Sequence, residues 1–436
     1  MNKDGEMKVM AKKIIPLIMA GSLVGLAALS GALPPQDHDS SIRRLTYSGN
    51  TAVKHPCLSQ DGRWMLYSTE LTEGEATAKA IRIMDLENGK EKTLFRDGDL
   101  KAPDPYGEIA LVIGTKPPIL SGDGKTAVFA LGLAKPKAIM DHYLAIADVE
   151  GASIEIISFP ISALKDKDVH SLGFDSSDWE RVSNYAISST GLRIACAVKG
   201  HLGPRRYGYA SGIVLLNLKD KTQDTLLAPD FNEQGWDWPG YPRRPLMGGG
   251  WAFGLSGDGR SVLFGAQSSE DVNDYDLYIA EWGKKTPKRI TDFHDRWFSL
   301  ADIGHDGKRI VFFYTGKKKS GIGTYAIASD GSSLKQLESK LGPRIEFLDM
   351  SEDGSFLFYK HIYKGMIMNL ETGTEFVAYD ERTPGYAEGM APMDFPSFPS
   401  FWTPQITSYN GEFTLLIGPP FGKEASEIYL LHIGVE

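Results

Sequence analysis

The chain has 436 residues, 42% hydrophobic and 24% charged, with a formal net charge of -9. Those proportions are ordinary for a globular protein and supply enough apolar side chains for a sizeable core. The negative balance argues against nucleic acid as a partner, because phosphate binding needs a basic surface.

The first thirty residues differ from the rest. Lys8, Lys12 and Lys13 precede an uncharged stretch from Ile14 to Leu29, and Ala28-Leu29-Ser30 forms a small-residue cleavage context before Gly31. This pattern predicts a secretory signal over residues 1–30 and a periplasmic or secreted protein. The alternative is an uncleaved inner-membrane anchor at residues 14–29, which is short of the roughly 20 apolar residues a spanning helix needs. Membrane contact is expected only through that segment. Residues 31–41 read as a linker.

From residue 42 onward one unit is written seven times: an apolar strand, a tight turn, a second strand, a variable stretch and a third strand. The turns are Ser59-Gln60-Asp61-Gly62, Ser121-Gly122-Asp123-Gly124, Ser188-Ser189-Thr190-Gly191, Ser256-Gly257-Asp258-Gly259, Gly304-His305-Asp306-Gly307, Ser351-Glu352-Asp353-Gly354 and Ser408-Tyr409-Asn410-Gly411. Asp-Gly and Asn-Gly between apolar runs signal hairpins, since glycine takes positive φ without a Cβ clash. Strands are predicted at 55–58, 64–68 and 81–86 in the first unit, 118–120, 126–131 and 143–149 in the second, and 185–187, 193–198 and 213–218 in the third. The later units give 252–255, 261–265 and 277–282, then 300–303, 309–314 and 324–328, then 347–350, 356–359 and 366–370, and finally 405–407, 413–417 and 428–433. They are short, rich in β-branched and aromatic residues and apolar on both faces, as strands held between neighbouring sheets must be. A more polar fourth strand follows, as at 92–95, 288–291 and 335–337.

The last unit lacks a fourth strand before the chain ends. Ile42-Arg43-Arg44-Leu45-Thr46, near the other end, matches Pro287-Lys288-Arg289-Ile290-Thr291. A repeat of roughly 40 to 60 residues marks a radial β array. The expectation is an all-β, seven-bladed β-propeller over residues 42–436, closed by an N-terminal strand that completes the last blade and removes the open edges. Cys57 and Cys196 fall in different units and are expected as buried free thiols.

Leu58-Ser59-Gln60-Asp61-Gly62-Arg63 with Ile81-Arg82-Ile83-Met84-Asp85-Leu86 resembles the repeat of TolB-type β-propellers, as does Leu255-Ser256-Gly257-Asp258-Gly259-Arg260 with Asp276-Leu277-Tyr278-Ile279-Ala280. The family turn carries a proline that none of the seven copies here has. TolB also carries an α/β domain before its propeller, with no counterpart in this stretch.

In a propeller the connections between second and third strands and between blades emerge together around the axis, and binding residues concentrate on them. The longest are 159–181, 228–250 and 379–402 between blades, with 199–211 and 267–275 within them. Aromatics beside arginines mark three of these regions: Trp236, Trp238, Tyr241, Arg243 and Arg244 leading to Trp251, then Arg296 and Trp297, then Trp402. Rings supply flat apolar area at little entropic cost, which suits a protein, peptide or glycan partner; packing of the same rings onto the blades is the plainer reading.

Asp302 and Asp349 each lie five positions before their turn glycine, in neighbouring units, and could hold a cation or share a proton. An aspartate there could equally accept local hydrogen bonds. The oligogalacturonate lyases of the resembling superfamily bind a divalent metal through axial histidines and a glutamine, which would put His55, Gln405, His170 and His294 in question; His305 and His432 fall at the opposite end. The residues themselves predict no cofactor, and a divalent metal is the one the resemblance implies. No Gly-x-Ser-x-Gly elbow or His-Glu-x-x-His motif occurs. The reading is a monomeric, exported binding module working through its loop-rich face. The alternative is a periplasmic enzyme acting on carbohydrate, in the manner of a metal-dependent lyase, or on peptide at the axial opening.

Overall fold

A computed structural model describes residues 42–46, 51–73, 76–99, 109–111, 117–133, 142–151, 153–158, 181–201, 209–220, 222–227, 253–267, 275–284, 286–293, 298–314, 322–340, 346–351, 353–361, 364–380, 405–406, 413–418 and 427–432. The signal or anchor segment expected at 1–30 and the linker at 31–41 lie outside them. Among the described residues every regular element is a strand, and no helix is long and apolar enough to cross a membrane.

The strands form seven antiparallel sheets that follow one another along the chain. The first is Ala52–Leu58, Trp64–Glu73, Ala76–Asp85 and Lys90–Arg96. The second is Ile119–Leu120, Thr126–Leu133, His142–Asp148 and Ile154–Ser158, with Ile109–Leu111 also paired to the second strand. The third is Arg181–Ile187, Arg193–His201, Tyr209–Asn217 and Thr222–Leu227. The fourth is Phe253–Leu255, Ser261–Gln267, Tyr275–Glu281 and Lys288–Arg289. The fifth is Phe298–Ile303, Arg309–Tyr314, Gly323–Ala328 and Lys335–Gln336. The sixth is Glu346–Met350, Phe356–His361, Lys364–Asn369 and Glu375–Asp380. In the seventh, Gln405–Ile406, Phe413–Gly418 and Glu427–His432 are joined by Ile42–Arg44, which pairs with the last of them.

The first strands of successive sheets touch in order, and the first strand of the seventh sheet touches that of the first. Alternation along each second strand fills both gaps beside it, because successive side chains point to opposite faces. In the first sheet Leu66 packs toward the second sheet with Ile81, Ile83, Leu120 and Phe129, whereas Met65 and Tyr67 pack toward the seventh with Leu45, Ile428 and Leu430. That division explains why these strands read as apolar on both faces. Cys57 and Cys196 are free, as expected. Burial pushes the Cys57 thiol up to about 12, and it points at Pro118 O, 3.7 Å away.

Two features went beyond the sequence reading. The hairpins Trp64–Glu73 with Ala76–Asp85 and Arg193–His201 with Tyr209–Asn217 run several residues past the predicted ends. Segments such as Lys199-Gly200-His201 carry no apolar alternation, and the ladder there continues on backbone bonds that leave no trace in composition. Ile109–Leu111 was likewise unpredicted.

Each turn is a small hydrogen-bonded unit. The Ser59 hydroxyl, wholly buried, donates to Asp61 Oδ1 at 2.5 Å and accepts from Trp64 N–H at 2.8 Å. The pattern repeats at Ser121, Ser256 and Ser351. Gly124 has φ of +70°, and a Cβ there would lie 2.5 Å from Trp64 Cδ1 of the preceding sheet. Thr126 lies against Gly191 and Arg193 against Gly259 in the same way, and the Arg193 guanidinium also donates to Gly259 O at 3.1 Å.

This geometry predicts unequal costs for two alanine substitutions. Gly98→Ala, at φ of +87° with nothing within 4 Å of the new Cβ, should lose about 1 kcal/mol from backbone strain alone. Gly124→Ala should lose about 2 to 4 kcal/mol, because Trp64 must also move. Denaturant titration of the two variants measures the difference.

Candidate functional site

The two ends of the sheet array are built differently. At one end the first two strands of each sheet are joined by the tight turns, 59–63 in the first sheet and 304–308 in the fifth. At the other end emerge the long connections 159–180, 228–252 and 381–404. Trp236, Trp238, Tyr241, Arg243, Arg244, Trp251 and Trp402 all fall in those connections, and Arg296 and Trp297 fall in 294–297; all nine lie outside the described residues, as do His170 and His294.

The roots of the 294–297 connection are well defined. Phe293 stacks on Tyr314 with ring centres 4.6 Å apart and meets Phe298 edge-on at 5.8 Å. Its backbone N–H donates to Asp276 Oδ1 at 2.8 Å. That carboxylate is fully buried, accepts from the Thr291 hydroxyl at 2.8 Å and has the Arg289 guanidinium 2.6 Å from Oδ2. A buried charge held by two hydrogen bonds and a cation fixes the chain where it enters the segment that bears Arg296 and Trp297, and the Phe293–Phe298 ring contact joins the two sides. The sequence reading named Asp276 only as part of the repeat Asp276-Leu277-Tyr278-Ile279-Ala280 and gave it no role at this connection.

The innermost strands carry irregularities at mid-height. Pairing slips between Lys54 and Cys57 in the first sheet, Val182 and Asn184 in the third, Ser299 and Ala301 in the fifth, and Phe347 and Asp349 in the sixth. Bulges recur beside functional sites because they re-aim side chains. Asn184, Asp302 and Asp349 each accept the backbone N–H of the following residue, at 2.9, 2.8 and 3.0 Å. The two aspartates therefore serve in part as local caps on the irregular strand.

His55 sits inside the largest of these bulges, with φ of +52° immediately before Pro56. A β-region residue is normal before proline, and left-handed geometry on a non-glycine residue costs of order 1–3 kcal/mol. The imidazole is half-buried, and burial, helped by the nearby Lys54 cation, holds its pKa below 6.5. Lys54 in turn pairs with Glu70 at 2.5 Å. An uncharged imidazole near neutral pH can accept a proton or ligate a metal.

Among the described residues no three His, Cys, Asp or Glu side chains converge as a metal-binding group. Asp302 and Asp349 were expected as a pair, and His170 and His294, expected with His55 and Gln405, lie outside the described residues. His55, Asp302 and Asp349 lie on three separate inner strands.

No protein-family model and no curated protein matches the chain. Solved structures do match its fold. One is an oligogalacturonate lyase in complex with manganese, 13% identical over 91% of this chain and 95% of the other, with a TM-score of 0.53. A second, the oligogalacturonate lyase from Vibrio parahaemolyticus, is 11% identical over the same shares with a TM-score of 0.55. The β-propeller domain of the trilobed protease from Pyrococcus furiosus is 11% identical over 88% of this chain and 96% of that domain, with a TM-score of 0.50. At these identities the likeness is one of fold, and the fold is a β-propeller.

The depressed His55 pKa has a signed consequence. Below pH 6.5 the unfolded chain binds a proton at this site that the folded chain resists, so stability falls as pH drops from 6.5 toward the lower folded value. In His55→Gln that portion of the slope should vanish, which chemical denaturation at a series of pH values between 7 and 5 would measure.

Proposed function

We propose that the seven sheets are the blades of one closed propeller and that it works as an exported binding module, taking a protein, peptide or glycan partner on its loop-bearing end. The closing strand is Ile42–Arg44, continued by Leu45 and Thr46. Support comes from equivalent bonding in two sheets: Leu45 N–H donates to Ile428 O at 2.8 Å and Ile290 N–H to Leu277 O at 2.9 Å. The Thr46 hydroxyl accepts Ile428 N–H at 2.9 Å as Thr291 accepts Leu277 N–H at 2.8 Å. Thr46→Val should therefore lower the stability of the whole protein by about 1 to 2 kcal/mol, read as a shift of the single denaturation midpoint; a local effect confined to the seventh sheet would argue against closure.

The observation that carries the binding reading is the contrast between ends. Short, mutually bonded turns occupy one end, while long connections that carry tryptophan and arginine leave from the other, together with the short connection 294–297, which is rooted on a buried carboxylate and an aromatic stack. On this reading Trp236, Trp238, Tyr241, Arg243, Arg244, Trp251, Arg296, Trp297 and Trp402 supply the contact surface. Residues 1–30 direct export to the periplasm or beyond, or residues 14–29 anchor the module to the inner membrane, and the module acts as a monomer.

A second reading, a metal-dependent enzyme acting on carbohydrate, is favoured by His55, whose strained and uncharged imidazole lies on an innermost strand, and by the two lyases that match over nearly their whole length. The readings separate in one preparation. A binding module should purify without stoichiometric transition metal, and Trp236→Ala combined with Trp238→Ala should weaken partner capture at least about tenfold while leaving the melting temperature unchanged. A lyase-like enzyme should instead carry manganese or a similar ion and lose it on His55→Ala; elemental analysis reads that outcome.

A further inference from the structure

Five consecutive turn tips lie against one another at one end of the ring. Backbone hydrogen bonds stitch them in order: Gln60 N–H to Gly122 O at 2.7 Å, Asp123 N–H to Ser189 O at 2.7 Å, Ser189 N–H to Gly257 O at 2.8 Å, and Asp258 N–H to His305 O at 3.0 Å. The tip residues alternate in size as Gln60, Gly122, Ser189, Gly257 and His305. The alternation lets the larger side chains close over the glycines. His305, in the fifth sheet, reaches past Gly257 of the fourth to Ser189 of the third, with Nδ1 3.0 Å from Oγ. On the other flank a Cβ at Gly122 would lie 2.9 Å from both Gln60 Oε1 and Ser189 Cβ, so those two side chains already fill the space above it. Ser189, at the centre of the arc, is only 6% exposed.

Halfway along the same innermost strands the situation reverses. His55, Asn184, Ala186, Asp302 and Asp349 are all partly exposed, although neighbouring sheets pack on both flanks of the strands that bear them. The free edge of an innermost strand faces the axis, and a bulge displaces residues toward that edge. Partial exposure brings water to these residues at mid-height, while at the turn end the tips of five sheets lie against one another and His305 spans from the fifth to the third.

We propose that the axis is a blind polar well, entered from the loop-bearing end, walled at mid-height by His55, Asn184, Asp302 and Asp349, and taking the donor-rich end group of a ligand chain, of which a terminal sugar residue is the chemical type. Carboxylates and a carboxamide accept hydrogen bonds, and an imidazole both accepts and donates, which matches hydroxyls that do the same. Gln60, Ser189 and His305 form the floor. The ligand is thus held by its end, and a polymer cannot thread through. The proposal rests on the loop-end reading for the entrance, but its test uses no ligand, so either can fail without the other.

The test is thiol labelling with methyl methanethiosulfonate, followed by mass spectrometry on the full folded chain. Unmodified protein supplies the baseline, since Cys196 is buried and the Cys57 thiol faces Pro118. Asn184→Cys, and independently Ala186→Cys, should label within about tenfold of the rate at an exposed reference, Lys284→Cys, whereas Ser189→Cys should label at least about 100-fold more slowly. Adding His305→Gly to Ser189→Cys should abolish most of that protection. Labelling of Ser189→Cys as fast as Asn184→Cys would mean an open channel, and inert Asn184→Cys and Ala186→Cys would mean a dry axis; either overturns the proposal. Should Ser189→Cys fail to fold, hydrogen exchange at the Ser189 and Asp258 amides of the unaltered protein decides instead, with slow exchange expected and turn-like fast exchange overturning the floor.

Discussion

Everything in this architecture hangs on a side chain of one sheet lying where the next sheet's turn glycine has no Cβ. Trp64 on Gly124, Thr126 on Gly191 and Arg193 on Gly259 are the same contact made with different chemistry. An aromatic ring, a hydroxyl and the aliphatic stem of an arginine share no character except bulk at that point. The constraint is therefore steric and sits on the glycine, which explains why the residue two positions after it varies freely while Gly62, Gly124, Gly191, Gly259, Gly307 and Gly354 hold φ between 68° and 72°. The buried serine and the aspartate beside it hold the turn in shape, and two of the described turns do without one partner. Thr190 stands for the aspartate in the third, with Ser188 Oγ and Thr190 Oγ1 3.4 Å apart, and Gly304 stands for the serine in the fifth, where Asp306 still accepts Lys308 N–H at 2.9 Å.

Fixing the sheets at their turn ends has a consequence for the opposite end. Once successive tips are bonded to one another, the angle between neighbouring sheets is set close to the axis, and apolar side chains fill the widening gaps outward, as Phe95 does against Phe129 at 5.7 Å. The sheets are thus bonded to one another at the turn end without recourse to the connections at the far end. Those connections are free to lengthen, since added loop residues cost little in closure entropy, and free to collect tryptophan and arginine. The same division of labour lets the mid-height bulges persist: four inner strands tolerate slipped pairing because their register is pinned again a few residues later at the turn.

The fold was legible because its signal is repeated and local. Asp-Gly turns between apolar runs locate the hairpins, and Arg44-Leu45-Thr46 could be matched to Arg289-Ile290-Thr291 because the two use the same backbone and hydroxyl bonds. The long hairpin tips at 69–73 and 199–201 were not legible, because a ladder of exposed polar residues has no period to read. The inner-strand polar residues were legible as positions but not as an arrangement. Offsets from the turn glycine placed Asp302 and Asp349 on equivalent strands, yet nothing in a linear spacing distinguishes a cap on the next backbone N–H from a ligand to an ion. His305 was placed correctly at the turn end, but its reach across the fourth sheet to Ser189 of the third has no signature in a linear spacing.

The pairing of Ile42–Arg44 with Glu427–His432 brings together residues 382 apart in sequence, Thr46 and Ile428. A contact of that separation raises the mean sequence distance of native contacts, which is the topology that folds slowly. The bonds that make it are few: the three paired residues Ile42–Arg44 and the Leu45 and Thr46 contacts. Their effect exceeds their number, because Leu45 also enters the apolar cluster that joins Val53, Met65 and Tyr67 of the first sheet to Ile428 and Leu430 of the seventh. The closing strand thus acts on two interfaces at once, the edge of its own sheet and the gap to the next. Without Ile42–Thr46 the seventh sheet would expose the edge of Glu427–His432 and the cluster between the seventh and first sheets would lose Leu45, so the edge and the packing beside it depend on the same five residues.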